Sequence, residues 1–136
     1  MQKAAFSILK YSFDKVSIDL SNYKSLDLKL QFDTSGVYVQ TESVYSLVFT
    51  VKAFCSEKID SNFIEIRCIG VFKFEEPTDF ENIPDFFYRN CIAILFPYVR
   101  AFVSMVTIQA NVPPVMLPTL NLSALEDVLK QNTQKQ

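Results

Sequence analysis

Apolar residues recur at every second position through the first half of the chain and at helical spacing through the second. In "VSIDL", Val16, Ile18 and Leu20 alternate with Ser17 and Asp19. In "LDLKLQF", Leu26, Leu28, Leu30 and Phe32 alternate with Asp27, Lys29 and Gln31. Strict alternation marks strands of a sheet with one buried face. "VYSLVFTVKAF" (44–54) is β-branched, aromatic and apolar on both faces, which suits a central strand. "NFIEIRCIGVFKFE" turns Ile64, Ile66 and Cys68 inward, and Gly70 within it reads as a bulge or kink. "SNYKS" and "SEKIDSN" read as short links between antiparallel strands. "DTSGVYVQTES" reads as a longer connection that brings Val37 and Val39 out at a rim.

Around "EEPTDFENIP" the period changes from two to about 3.6. In "ILFPYVRAFVSMV" and the residues after it, Leu95, Val99, Phe102, Val103 and Val106 share one helical face. Ile94, Tyr98, Ala101, Met105 and Ile108 form a second stripe, and Arg100, Ser104 and Thr107 leave a narrow polar strip. A helix that is apolar nearly all round must be buried nearly all round. One face can cover the sheet. The second stripe predicts an interface with another copy of the chain. Pro97 fits the first turn of that helix, where its missing N–H costs nothing, so a break before it is expected. The alternative is one kinked helix. Pro113, Pro114 and Pro118 then forbid regular structure, and Asn121 or Ser123 can cap a last helix with Leu122, Leu125, Val128 and Leu129 on one side. The polar segment "KQNTQKQ" reads as a tail.

At 136 residues the chain is expected to form one domain, residues 1–136. Apolar residues make up 49% and glycine only 2 positions, which excludes disorder. Its uninterrupted apolar runs fall far short of the roughly 20 residues of a membrane span, and no signal peptide is read, so a cytoplasmic protein without membrane insertion is expected. Net charge is −2 with scattered Lys and Arg, which argues against nucleic acid. Cys55, Cys68 and Cys91 form no CxxC pair and the chain has no His, so no metal site or other cofactor is expected. The lack of His, of GxSxG, of a P-loop and of a dinucleotide fingerprint argues against an enzyme with catalytic residues. Glu75 and Glu76 read as a solvated turn, and Asp79, Glu81 and Asp85 as helix-start residues. What stands out is apolar surface beyond core needs: Val37, Tyr38, Val39, then Val115, Met116 and Leu117, then the last helix. That surplus points to a binding module.

The stretch "NCIAILFPYVRAFVSMVTIQANVPPVMLPTLNLSAL" resembles SecB, the bacterial export chaperone family. Leu95–Arg100 match its helix-start motif, and Pro113, Pro114, Leu117, Pro118, Asn121, Ala124 and Leu125 match its loop and second helix. "VY" at Val44 and Tyr45 opens the third strand as in the family, and the similarity covers nearly the whole chain. The resemblance implies an α+β fold: a four-stranded antiparallel sheet with two helices packed on one face. It implies a homotetramer, a dimer of dimers built through the long helix, that binds non-native polypeptides or preproteins and hands them to the SecA motor.

By position, Leu28, Leu30 and Phe32 match groove-lining strand residues, and Leu122, Leu125 and Leu129 the helix bordering the groove; Val115 and Met116 belong to the loop beside it. Asp19, Phe63 and Glu65 fall where the family presents its SecA-facing surface. There are departures. Lys15 stands at an acidic position, "KQNTQKQ" stands where an acidic tail is expected, and the first crossover is cut to "SNYKS". Ala110 and Asn111 replace a glycine pair, and Leu122 a Phe. The function expected is an ATP-independent holdase for unfolded chains. The alternative is a dedicated SecB-like chaperone of one client, such as an antitoxin, without SecA coupling.

Overall fold

The computed structural model describes residues 5–24, 28–55 and 62–136. Four long strands come first: β1 (Phe6–Ile18), β2 (Lys29–Val39), β3 (Val44–Phe54) and β4 (Asn62–Phe74). Two helices follow, α1 (Asp85–Gln109) and α2 (Leu122–Gln131), and then a short strand, β5 (Thr133–Lys135). The sheet order is β1-β4-β3-β2-β5. The fold is α+β, as expected, but the sheet is five-stranded and mixed. β5 runs parallel to β2, whereas the other pairs are antiparallel. Leu26, Asp27 and most of "SEKIDSN" lie outside the described residues.

β3 is the central strand that its two-sided apolarity predicts. Tyr45, Leu47, Phe49, Val51 and Ala53 are fully buried beneath the helices. On β4, Ile64, Ile66, Cys68 and Phe72 continue that face. β1 joins it in three short phases, because register shifts lie between Ile8 and Lys10 and between Phe13 and Lys15. Each shift adds a residue, so Phe6 and Ile8, then Tyr11 and Phe13, then Val16 and Ile18 all fall on the helix-bearing side of the sheet, with Tyr11 and Val16 still exposed at its edge. Only the last phase is visible as simple alternation.

Three local expectations are corrected. "DTSGVYV" is strand throughout, with the turn confined to Gln40–Ser43. Its residues alternate, with Thr34, Gly36 and Tyr38 buried. Gly70 is neither bulge nor kink: it pairs regularly with Leu47 and Tyr11. It is small because Leu95 of α1 sits on it, 3.0 Å from where a Cβ would be. The helix is not broken at Pro97, and α1 runs unbroken through it. Pro97 and Ala93 are both exposed, so the Ala93 carbonyl that loses its N–H partner can meet water.

α1 lies across the sheet. Phe87 anchors its first turns among Phe6, Tyr45 and Phe74, with ring centroids 4.7, 4.8 and 4.9 Å away. Burying such a ring stabilises by about 1.5–3 kcal/mol. Farther along, Tyr98 stacks on Tyr11 at 4.4 Å and Phe102 on Phe13 at 3.9 Å. Leu95, Val99 and Val103 are fully buried. Thr107 is buried too, rather than part of a solvent strip. Its hydroxyl bonds back to the Val103 carbonyl at 3.0 Å and accepts the Val115 N–H at 3.0 Å. By length and composition α1 is apolar enough to cross a membrane, yet this is the helix that carries the core against the sheet.

Candidate polypeptide-binding groove

The segment between the helices returns along α1 because of three local devices. Asn111 takes a left-handed backbone (φ 63°), the turn that a glycine would otherwise supply. The three prolines then keep the chain extended. Extended geometry alternates its side chains, so Val115 and Leu117 are buried while Met116 between them is 67% exposed. Asn121 ends the segment by capping α2, its side chain accepting the Ala124 N–H at 3.3 Å. α2 is pinned to α1 by Arg89–Glu126 at 3.0 Å and Lys130–Asp85 at 2.7 Å.

This segment frames two hollows. One, of about 150 Å³ and of mixed polar and apolar lining, lies between it and the starts of β2 and β4, lined by Tyr23, Lys24, Leu28, Phe63, Pro113 and Pro114. The other, of about 190 Å³, lies between α1 and the start of α2, lined by Phe96, Pro97, Arg100, Leu120 and Leu122. Phe96 ties the second hollow to the sheet, its ring 6.4 Å from that of Phe32 and 5.9 Å from that of Phe49.

β2 supplies the backbone of the site. Within an antiparallel strand, alternate residues turn their peptide groups to opposite edges. Gly36 N–H, Tyr38 C=O and Gln40 N–H all bond outward, toward Asn132 and Gln136. By the same alternation Leu30 and Phe32 present their N–H and C=O groups to that edge. β5 pairs only with Gly36–Tyr38, so the Leu30–Phe32 stretch has no strand beside it among the described residues. The same two residues are half-buried against the core.

Of the expected lining residues, Leu28, Leu30, Phe32, Leu122 and Leu125 keep partial exposure around this region. Val115 and Leu129 are buried and offer almost no surface. Tyr23, Phe63, Phe96 and Leu120 were not legible as lining. Phe63 is the instructive one, because it was expected on the outer sheet face. A register shift at Ala53/Phe54 puts both Phe63 and Ile64 in buried positions, and Phe63 packs on Tyr23 at 5.0 Å.

On the outer face the carboxylates are already partnered. Glu65 pairs with Lys15, which holds its carboxyl below the usual range, and it accepts from Asn62 at 3.0 Å. Asp14 takes a two-pronged bond from Arg67, 2.8 Å at the closest, and is lowered by it. Asp19 is exposed and caps the short turn after β1 through the Ser21 N–H at 3.0 Å. Burial pushes the Cys68 thiol up to about 11 and raises Cys91 as well, so neither is a ready nucleophile. The stripe on α1 is open: Tyr98 is 43%, Met105 49% and Ile108 54% exposed, Ala101 is exposed and Ile94 half-buried.

Residues 8–135 match the family described as preprotein translocase subunit SecB. The chain belongs to the SecB family. An uncharacterized protein of Methanocaldococcus jannaschii is 31% identical over 98% of this chain and 93% of its own length. The protein-export protein SecB of Thiobacillus denitrificans is 30% identical over 99% of this chain and 92% of its own. Among solved structures, the SecB-like chaperone of Mycobacterium tuberculosis, in complex with a peptide from the HigA1 antitoxin, matches with TM-score 0.68 over 86% of this chain and 88% of that one. At 17% identity that likeness concerns the SecB-like fold. The SecB family is one of chaperones rather than enzymes.

Proposed function

We propose that this SecB-family chain is an ATP-independent, cytoplasmic holdase that binds extended apolar segments of non-native polypeptides along the free stretch of β2. One coincidence carries the reading. Leu30 and Phe32 offer peptide groups with no strand beside them among the described residues, and their side chains pack on the core close to the apolar hollow that Phe96 lines. An added strand gains main-chain hydrogen bonds from the edge, and every second side chain gains burial. Binding then lowers the free concentration of aggregation-prone chains by mass action, with no cofactor or catalytic residue.

Leu30→Ser and Leu125→Ser should each weaken client binding tenfold or more, since each removes about 1.5–3 kcal/mol of apolar burial. Melting temperature and suppression of aggregation, read on the same samples, check this. Leu129→Ser, at a fully buried position, should lose thermal stability first. Unchanged binding per folded Leu30→Ser molecule would reject the groove.

Delivery to SecA is the less favoured half of the expectation. The outer-face carboxylates Asp14 and Glu65 are neutralised by Arg67 and Lys15, Phe63 is buried, and of the three residues expected to face SecA only Asp19 keeps an exposed carboxylate with no basic partner among the described residues. This favours a SecB-like chaperone that works without SecA coupling; the Mycobacterium tuberculosis SecB-like chaperone was solved with a peptide from an antitoxin. Calorimetry with SecA should give weak or no binding, and a tight, salt-sensitive complex would restore the export reading. The open α1 stripe, together with exposed Leu9, Tyr11 and Val16 on the β1 edge, calls for a second copy of the chain. A homotetramer built as a dimer of dimers satisfies both surfaces.

A further inference from the structure

β5 occupies the continuation of the same β2 edge, and its construction sets it apart from the rest of the sheet. It has three residues, and Gln134 and Lys135 are exposed. Its attachment is almost wholly polar. Gly36 N–H donates to the Asn132 carbonyl at 3.2 Å, Gln136 N–H to Tyr38 at 2.7 Å, and Gln40 N–H to Gln136 at 3.3 Å. The Asn132 side chain donates to the Thr34 carbonyl at 3.1 Å. Thr133 gives its hydroxyl proton to the Leu129 carbonyl at 2.7 Å, so the Tyr45 hydroxyl, 2.6 Å away, is the donor to Thr133.

Gly36 makes that last bond possible, because the Tyr45 hydroxyl lies where its Cβ would stand. A segment held by a few hydrogen bonds and little apolar burial belongs to the most easily opened part of a fold. The closed arrangement also carries a defect: the Thr34 hydroxyl is buried with no partner among the described residues. One residue, Asn132, separates β5 from α2, the helix that carries Leu122 and Leu125.

We propose that β5 is a placeholder strand. It closes the Thr34–Gln40 half of the β2 edge, and a long extended client displaces it, while a short one binds beside it at Leu30 and Phe32. This rests on the reading of β2 as the client edge and adds how the length of that edge is set. With β5 seated, a client strand meets Asn132 at Thr34. With β5 detached, the outward groups of Thr34, Gly36, Tyr38 and Gln40 join those of Leu30 and Phe32, and the last turn of α2 is held only by Leu129 and Lys130.

Two variants separate the states. Val37 and Gln134 are register partners, so Val37→Cys with Gln134→Cys, in a Cys55→Ser background, locks β5 when oxidised and frees it when reduced. Gln134→Pro removes a ladder donor and weakens β5. The probes are a six-residue Leu/Phe peptide and reduced, carboxymethylated α-lactalbumin. Oxidation should weaken α-lactalbumin binding at least tenfold and leave the hexapeptide within twofold; Gln134→Pro should strengthen α-lactalbumin binding severalfold.

In amide hydrogen exchange on the wild type, α-lactalbumin should deprotect Gln134 and Gln136 while Gly36 and Gln40 stay protected. Equal α-lactalbumin binding in the oxidised and reduced forms overturns the placeholder. So does protection of the Leu30 and Phe32 amides by α-lactalbumin with Gln134 and Gln136 unchanged, which leaves the groove reading intact. If neither probe binds or protects Leu30 and Phe32, both readings fall.

Discussion

The two glycines of the chain do opposite kinds of work. Gly70 gives room to a flexible leucine on α1, whereas Gly36 gives room to a phenol held on both sides. Gly36→Ala therefore has no soft neighbour to push. It should cost about 1–3 kcal/mol by overpacking, read as a lower urea midpoint. It should also speed exchange at Gln136, since Tyr45 must leave Thr133. Gly70→Ala should cost less, because the methyls of Leu95 can swing aside. Neither role is visible in the sequence. Gly70 could be singled out only as an irregular residue, and what the contact demands is space for a partner some two dozen positions away.

Pro97 poses the matching question for an element. It sits in the middle of α1 without ending it. Pro97→Ala restores an N–H for the Ala93 carbonyl, so the urea midpoint should rise, by an amount below the full interior proline cost of about 3 kcal/mol, since Ala93 and Pro97 lie on an exposed side of the helix. An unchanged or lower midpoint would show that Pro97 contributes packing at the hollow it lines.

The legible elements were those whose burial follows one uninterrupted period: β3, β4 from Ile64 onward, the main part of α1, and α2. β1 was read only from Val16 onward, because two bulges reset its phase. β5 was invisible because main-chain bonds hold it, and those leave no apolar pattern. The same limit applies to the groove. Leu30, Phe32, Leu122 and Leu125 were readable from periodicity or resemblance. Phe63 and Phe96 were not, since a register shift and a ring contact across elements place them.

At the scale of the molecule, one protomer leaves its longest helix half covered. Met105 is 49% exposed in the protomer, so Met105→Asp should leave its fold and melting cooperativity intact. It should dissociate the assembly, because a buried unpaired charge costs several kcal/mol at an interface. Light scattering on both forms checks this. A wild type that is monomeric at micromolar concentration would remove the self-association reading and leave the α1 stripe for another partner.

The order β1-β4-β3-β2 has a consequence during synthesis. β2, β3 and β4 follow one another as neighbours and can pair as each is completed. β1 cannot, since Phe6 waits for Phe74 and Ile18 for Ile64. On the ribosome β1 thus emerges before β2, β3 and β4 yet is the last of these four to be paired, and its Phe6, Ile8 and Phe13 stay wet until β4 has emerged. Pairings so distant along the chain close slowly. For the length of that delay, the nascent chaperone is itself an unfolded apolar segment of the kind it is proposed to hold.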